Sequence, residues 1–475
     1  MNDDFIWTKE YSGRAIALAI LTVVGVNVAF AKFAMPIPIM LLGLLGVIFF
    51  FVALNRYTIG WQTLDPVILY RKLFWHSAGF RLLAVIYIYA YTFIYTPSTF
   101  PLTLGSADSW NYLKSGNALV GNIFNGQFLY LLPQYWRSSG DWGFPFYLGL
   151  VGSVLFNSVF VVILLNVFIG SLTVVLIAKI AGMLYSDSHA RLAGILSMLM
   201  LPLMWYGAMY LKETVMIFLI ILAIYETIRM VELTGFNLIS TLIASLCTVS
   251  LFYFRTVIAV LLLLSIGGYL LMNTLSRQRS NLVPLMIAVA FAAVTTLVIS
   301  RTAQVHSVME QYGQIDNAGE STLSSKIKLA GSLNVKSAAV LPLVTVSAFV
   351  TPFPSLLYFE PRDIFTLAHF QNEEIRNLIF YFALIGVLIA LRNDLRRSAL
   401  LLFFGLGYIL VLAVTAHSYE PRFQLPALPL LAIFMSVGMI DSSAKWLNRW
   451  NAYLFLIVCA QLAWQVFRLS IRGLV

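Results

Sequence analysis

Asp108 is the first carboxylate after Asp65, and the apolar run Leu82–Tyr95 delivers the chain to it. Trp110 and Tyr112 follow at the second and fourth positions. A carboxylate just beyond a membrane exit can take a proton from, or orient, an acceptor hydroxyl, and the two rings could shape an acceptor site. Three further charged groups stand at the ends of apolar runs: Lys212-Glu213, Arg255 and Glu420-Pro421-Arg422. Arg and Lys can hold a phosphate leaving group and stabilise the charge that develops on it. Ionisable groups at membrane depth default to functional candidates. Each also has a plainer role. Ser106 or Asp108 can cap a short helix running through Tyr112 to Leu119, Arg255 can snorkel to the interface, and Lys212 with Glu213, or Arg422 with Glu420, can form surface ion pairs.

The elements that must carry these residues follow from composition. The chain has 475 residues, of which 60% are hydrophobic and 11% charged, far fewer charges than the roughly 25% of soluble domains. Apolar runs of roughly 17–20 residues recur, each long enough to cross a bilayer as a helix, and they lack the alternation of a membrane barrel. The expectation is an all-α polytopic membrane protein. The formal net charge of +10 does not point to nucleic acid, because most Lys and Arg fall in short loops on alternate sides of the spans. The two cysteines, Cys247 and Cys459, lie inside apolar runs and read as packing residues.

The runs give about thirteen spans: Ala15–Ala31, Met35–Leu54, Leu82–Tyr95, one from about Val159 to Tyr185, Leu192–Met209, Thr214–Ile228, Phe236–Phe254, Thr256–Met272, Leu282–Ser300, Asn377–Leu391, Ser398–Ala416, Leu425–Ile440 and Ala452–Phe467. The basic-residue bias puts Asn55–Arg81 and Arg392–Arg397 on the cytoplasmic side and two large loops, 96–148 and 301–376, on the outer side. The first loop is dense in aromatics (Trp110, Tyr112, Tyr130, Tyr135, Trp136, Trp142) and predicts short interfacial helices. The second holds an apolar piece, Ala338–Val350, too short to span. The whole chain reads as one integral membrane domain in three parts. These are an N-terminal hairpin with a cytoplasmic loop (1–81), a central module (82–230) and C-terminal helices (231–475).

No metal set is expected: His306, His369 and His417 have no ligand-like spacing. There is no phosphate-binding loop, dinucleotide fingerprint or nucleophile elbow. No cofactor is called for, and a divalent metal stays open.

The order of motifs resembles the GT-C class of polyprenyl-phosphate-dependent glycosyltransferases, in particular the bacterial branch of protein O-mannosyltransferases and lipid A aminoarabinose transferases. The matching residues are Ala107-Asp108-Ser109-Trp110-Asn111-Tyr112 in the first outer loop, and Gly143-Phe144-Pro145-Phe146-Tyr147 leading into the next span. A small-residue span with Gly170 and Lys179 follows, then Lys212-Glu213-Thr214, then Arg422-Phe423-Gln424-Leu425-Pro426-Ala427-Leu428-Pro429. The likeness covers roughly 82–228 and 420–440; the hairpin Ala15–Leu54 is an addition to the family's pattern. It implies an inverting membrane glycosyltransferase in the bacterial inner (plasma) membrane, serving cell-envelope polysaccharide biosynthesis. A sugar would pass from a polyprenyl-phosphate donor to a glycan, lipid or protein acceptor at the outer face. Asp108 would be the base, with Glu213 as the alternative catalytic carboxylate. Trp110, Tyr112, Lys212, Arg255, Glu420 and Arg422 would bind substrate. A repeat-unit polymerase is the alternative within enzymes, and a transporter or lipid flippase the alternative outside them.

Overall fold

The computed structural model describes residues 7–95, 107–126, 142–155, 158–234, 237–276, 353, 356–357, 364–393, 395–414 and 421–471. Within them the chain is helical, and its one β-type pairing is an isolated bridge between Ala34 and Leu357. Ten helices are long and apolar enough to cross a membrane, or eleven if one bent pair counts as a span. The multi-pass helical architecture is as the sequence predicts. Leu282–Ser300 and Ala338–Val350 lie outside the described residues.

Thr8 opens α1 (Lys9–Ala29), its hydroxyl accepting the Tyr11 N–H, and the proline-led α2 (Ile37–Gly60) returns beside it. A short turn then leads into α3 (Pro66–Tyr95). Here the structure corrects the sequence reading. Asn55–Arg81 is not a loop, since α2 and α3 between them fill nearly all of it. Arg71, Lys72 and Arg81 interrupt the apolar run, so a hydropathy window starts the span late. Arg81 itself is 2% exposed. Its guanidinium is bonded to Ser77 and lies against Gly170 and Gly207, where an added Cβ would stand 2.7 and 2.9 Å from its Nε.

The first outer segment supplies α4 (Ala107–Phe124) and α5 (Gly143–Val154), which pack on each other. The span α6 (Val159–Leu184) follows. The next span is broken: α7 (Asp187–Leu199) and α8 (Leu201–Gly207) meet at a 56° bend. Pro202 lacks an N–H and disfavours helical geometry in the residue before it, which accounts for the break. Then come α9 (Glu213–Arg229), α10 (Leu238–Phe254, 17 residues) and α11 (Thr256–Ser276).

After the largest undescribed stretch, α12 (Ile364–Asn393) is one continuous helix of 30 residues. This is a second correction, because the outer loop was expected to run to Arg376 and the span to begin at Asn377. The six polar residues of Gln371–Asn377 look like loop to a hydropathy window, yet all are buried within the bundle. The chain ends with α13 (Leu395–Val414), the single turn α14 (Pro421–Gln424), α15 (Leu428–Ile440) and α16 (Ala444–Ile471).

At the centre α12 and α15 cross in backbone contact. A Cβ on Gly386 would lie 1.8 Å from the Phe434 carbonyl oxygen, and one on Gly438 1.9 Å from that of Phe382. Small residues at such crossings let helix backbones approach closely. The N-terminal hairpin joins this centre, α2 packing on α12 and α1 on α16.

Candidate functional site

Arg422 sits on α14, at the start of the α14–α15 segment. A cation at a helix start is disfavoured by the helix dipole, and two carboxylates compensate it. Its Nη1 donates to Asp108 Oδ2 and its Nε to Glu213 Oε1. Asp108 is the second residue of α4 and Glu213 the first of α9, and a carboxylate in the first turn is where the dipole favours one. Three helix starts, far apart in sequence, are thus pinned to one guanidinium. The carboxylates differ in access: the Asp108 side chain is 47% exposed and that of Glu213 3%. Glu213 Oε2 is buried without a hydrogen-bond partner among the described residues.

The turn that carries Lys212 and Glu213 is held from several sides. Ser109 Oγ donates to the Tyr210 carbonyl (3.2 Å), Asn166 Nδ2 to the Met209 carbonyl (3.1 Å) and Thr214 Oγ1 to the Tyr206 carbonyl (3.2 Å). Burial pushes the Tyr210 phenol above its usual range, so it stays neutral. Lys212 and Glu213 form no ion pair with each other. Lys212 is 4% exposed; its Nζ donates to the Phe254 carbonyl (3.3 Å) and stands 5.9 Å from the Tyr112 ring centroid. Tyr112 is buried beneath it, edge-on to Phe144. Its ring therefore supports Lys212, and Trp110, which is partly exposed, is the aromatic nearer the surface.

Arg255 ends α10 in extended backbone, and its N–H closes on the Leu251 carbonyl (2.7 Å). Its guanidinium lies 4.2 Å from the Phe423 ring centroid, beside Arg422 in sequence. Tyr408, 2% exposed, donates to the Phe423 carbonyl (2.7 Å) and bonds the Arg255 side chain. Sequence reasoning missed Tyr408 because it lies inside an apolar span with nothing to mark it. It also missed Arg376, which bonds Gln424 from α12.

Asp108, Lys212, Glu213, Arg255 and Arg422 therefore converge at one end of the bundle. The other end carries the basic residues Arg392, Arg396, Arg397, Lys445 and Arg449. Glu420 lies outside the described residues. Among the described residues no group of three His, Cys, Asp or Glu side chains could hold a metal ion. Beside the charged groups a cavity of about 410 Å³ opens between α5, α9 and α10, lined by Trp142, Phe146, Tyr147, Val215, Tyr253 and Phe254 among others. A Cβ on Gly143 would meet the Phe254 ring at 2.4 Å, so glycine there lets α5 close on α10. Phe254, whose carbonyl receives Lys212 Nζ, is one of the residues that line this apolar crevice.

No protein-family model matches this chain, and no curated protein matches it either.

Proposed function

We propose that the protein is an inverting glycosyltransferase that moves a sugar from a polyprenyl-phosphate carrier to an acceptor at the outer face of its membrane. The observation that carries this reading is the convergence of Asp108, Glu213 and Arg422 near an apolar crevice, one of whose lining residues, Phe254, receives Lys212. The crevice suits a lipid tail. Lys212 and Arg255 suit its phosphate, since charge-assisted contacts are the strong ones in such sites. Arg422 is occupied by two carboxylates, so its role is to fix Asp108, not to hold the phosphate.

In the reaction the acceptor hydroxyl oxygen attacks the anomeric carbon, and the bond from that carbon to the phosphate oxygen breaks with both electrons. Asp108 takes the hydroxyl proton, and polyprenyl phosphate leaves toward Lys212 and Arg255. One displacement inverts the anomeric configuration without a covalent enzyme intermediate.

A second reading, transport, draws on the broken α7–α8 span and on buried Arg81, features that also suit alternating-access proteins. The two separate in one experiment. Purified protein in detergent is given a series of polyprenyl-phosphate-linked sugars together with glycan, lipid and peptide hydroxyl acceptors, and release of polyprenyl phosphate is measured for wild type and Asp108→Asn. Release that depends on Asp108 supports transfer. Absence of cleavage for every donor, with translocation of one of them in proteoliposomes, would replace transfer by transport.

A further inference from the structure

Away from that cluster, Glu374 is a carboxyl that the proposed chemistry does not use. It is 1% exposed, on the membrane-spanning part of α12. Its partner is a neutral amide on α16: Gln461 Nε2 donates to Glu374 Oε2 at 2.7 Å. Gln461 is 1% exposed as well, and its Oε1 is buried without a hydrogen-bond partner among the described residues.

On α12, Arg376 bonds Gln424, the charge of Glu373 acts on Arg376, and Tyr381 donates to the Trp446 carbonyl; α15 carries no titratable side chain, and the one on α8 is Tyr206. On α16, Tyr453 donates to the Asn377 carbonyl, while Lys445 and Arg449 sit at the far end of the helix. On α13, Tyr408 serves Phe423 and Arg255, and Arg396 and Arg397 stand at the far end. The ionisable groups of α1 and α2 (Lys9, Glu10, Tyr11, Arg14, Arg56 and Tyr57) are likewise at their far ends, and Lys32 lies over the Phe33 ring. No cation among the described residues is within ion-pair distance of Glu374.

A buried carboxylate facing only an amide carries the full cost of an unpaired charge. An amide oxygen left bare beside it adds a second cost. One proton removes both. A carboxylic acid and a primary amide form a closed ring of two hydrogen bonds: the amide N–H donates to the acid carbonyl oxygen, and the acid O–H donates to the amide oxygen. The observed Nε2 to Oε2 bond is one half of that ring, and the bare Gln461 Oε1 is the acceptor that its other half requires.

We propose that Glu374 and Gln461 form a proton-binding site between α12 and α16. The proton sits on Glu374 Oε1 and is donated to Gln461 Oε1, so the ligand of this site is a single exchangeable proton. As pH rises and the proton leaves, the ring opens and the bond that ties α16 to α12 weakens. The site is independent of the transferase reading.

The test is infrared spectroscopy of the full-length protein in lipid nanodiscs, in H2O and D2O at neutral pH. Wild type is expected to show the carbonyl stretch of a hydrogen-bonded protonated carboxyl, shifted down in D2O and lost on alkaline titration. Glu374→Gln is expected to lack that band while keeping the fold, because a second amide can complete the same ring. Gln461→Leu leaves the acid but removes its partner, and should move the band to higher frequency. That variant keeps the test open if Glu374→Gln fails to fold. Absence of the band in wild type, or a band unchanged in Gln461→Leu, would overturn the proposal.

Discussion

At the starts of α4, α9 and α14 three charged side chains meet in one two-pronged contact, and Asp108 remains 47% exposed. Within α12, six polar side chains between Gln371 and Asn377 are all buried, several with bare polar atoms. Both regions use carboxylates and an arginine. They differ in location. The first lies where helix ends leave backbone dipoles and solvent to stabilise charge. The second lies where only neighbouring helices can. Charge at the first meets a counter-charge and solvent, whereas a carboxyl at the second, Glu374, meets only an amide.

That contrast is sharpened most by Asp108→Asn. General-base assistance is typically worth about 10²–10⁴-fold, so turnover of the polyprenyl-phosphate donor is expected to fall by at least a hundredfold. Protein level and melting temperature should stay at wild type, as the side chain is half exposed. Retention of more than about a tenth of wild-type turnover, far less than a base is worth, would remove Asp108 from the chemistry and pass the role to Glu213.

Next in size is Arg422→Met, which leaves Glu213 buried without its cation. Breaking such a pair costs about 3–5 kcal/mol; the lower figure applies because Arg422 is itself 23% exposed. Thermal unfolding should show the loss, and the double variant Arg422→Met with Glu213→Gln should recover much of it. Equal stability of Arg422→Met and wild type would mean that the contact does not hold the helix starts together.

A smaller effect is expected for Arg255→Ala. Losing a charge-assisted phosphate contact costs about 1.5–3 kcal/mol, or roughly ten- to a hundredfold in use of the donor, with little change in stability. Unchanged donor dependence would return Arg255 to the role of an interfacial anchor.

The smallest effect belongs to α12. Asn372 is 4% exposed, and neither polar atom of its amide has a hydrogen-bond partner among the described residues. Replacing an unsatisfied buried amide with an apolar group of similar shape is close to neutral. Asn372→Leu should therefore stay within about 1 kcal/mol of wild type and leave turnover intact. A large loss of activity from this variant would erase the distinction between the two regions.

The sequence made the first region legible and hid the second, and the cause is the same in both. A hydropathy window treats each charge as a reason for a span to stop. At Asp108, Lys212, Arg255 and Arg422 the spans do stop, so marking the ends also marked the site. At Arg81 and Gln371–Asn377 they do not stop, because Gly170 and Gly207 make room for one and α2, α15 and α16 enclose the other. The pairing of Arg422 with Asp108, 314 positions apart, follows from helix packing and leaves no local trace. Tyr408 and Phe423 are invisible for the same reason, since an aromatic in an apolar span reads as packing until its neighbours are known.

The bend between α7 and α8 sets how far the turn bearing Lys212 and Glu213 stands from α7. Seven residues of straight helix would advance about 10 Å at 1.5 Å each. Turned through 56°, they advance only about 6 Å along the axis of α7. The turn bearing Lys212 and Glu213 is therefore recessed by about one helical turn relative to an unbroken span. For the proposed lipid-linked donor, such a recess would bring those side chains toward the level of its phosphate, with the tail still in hydrocarbon.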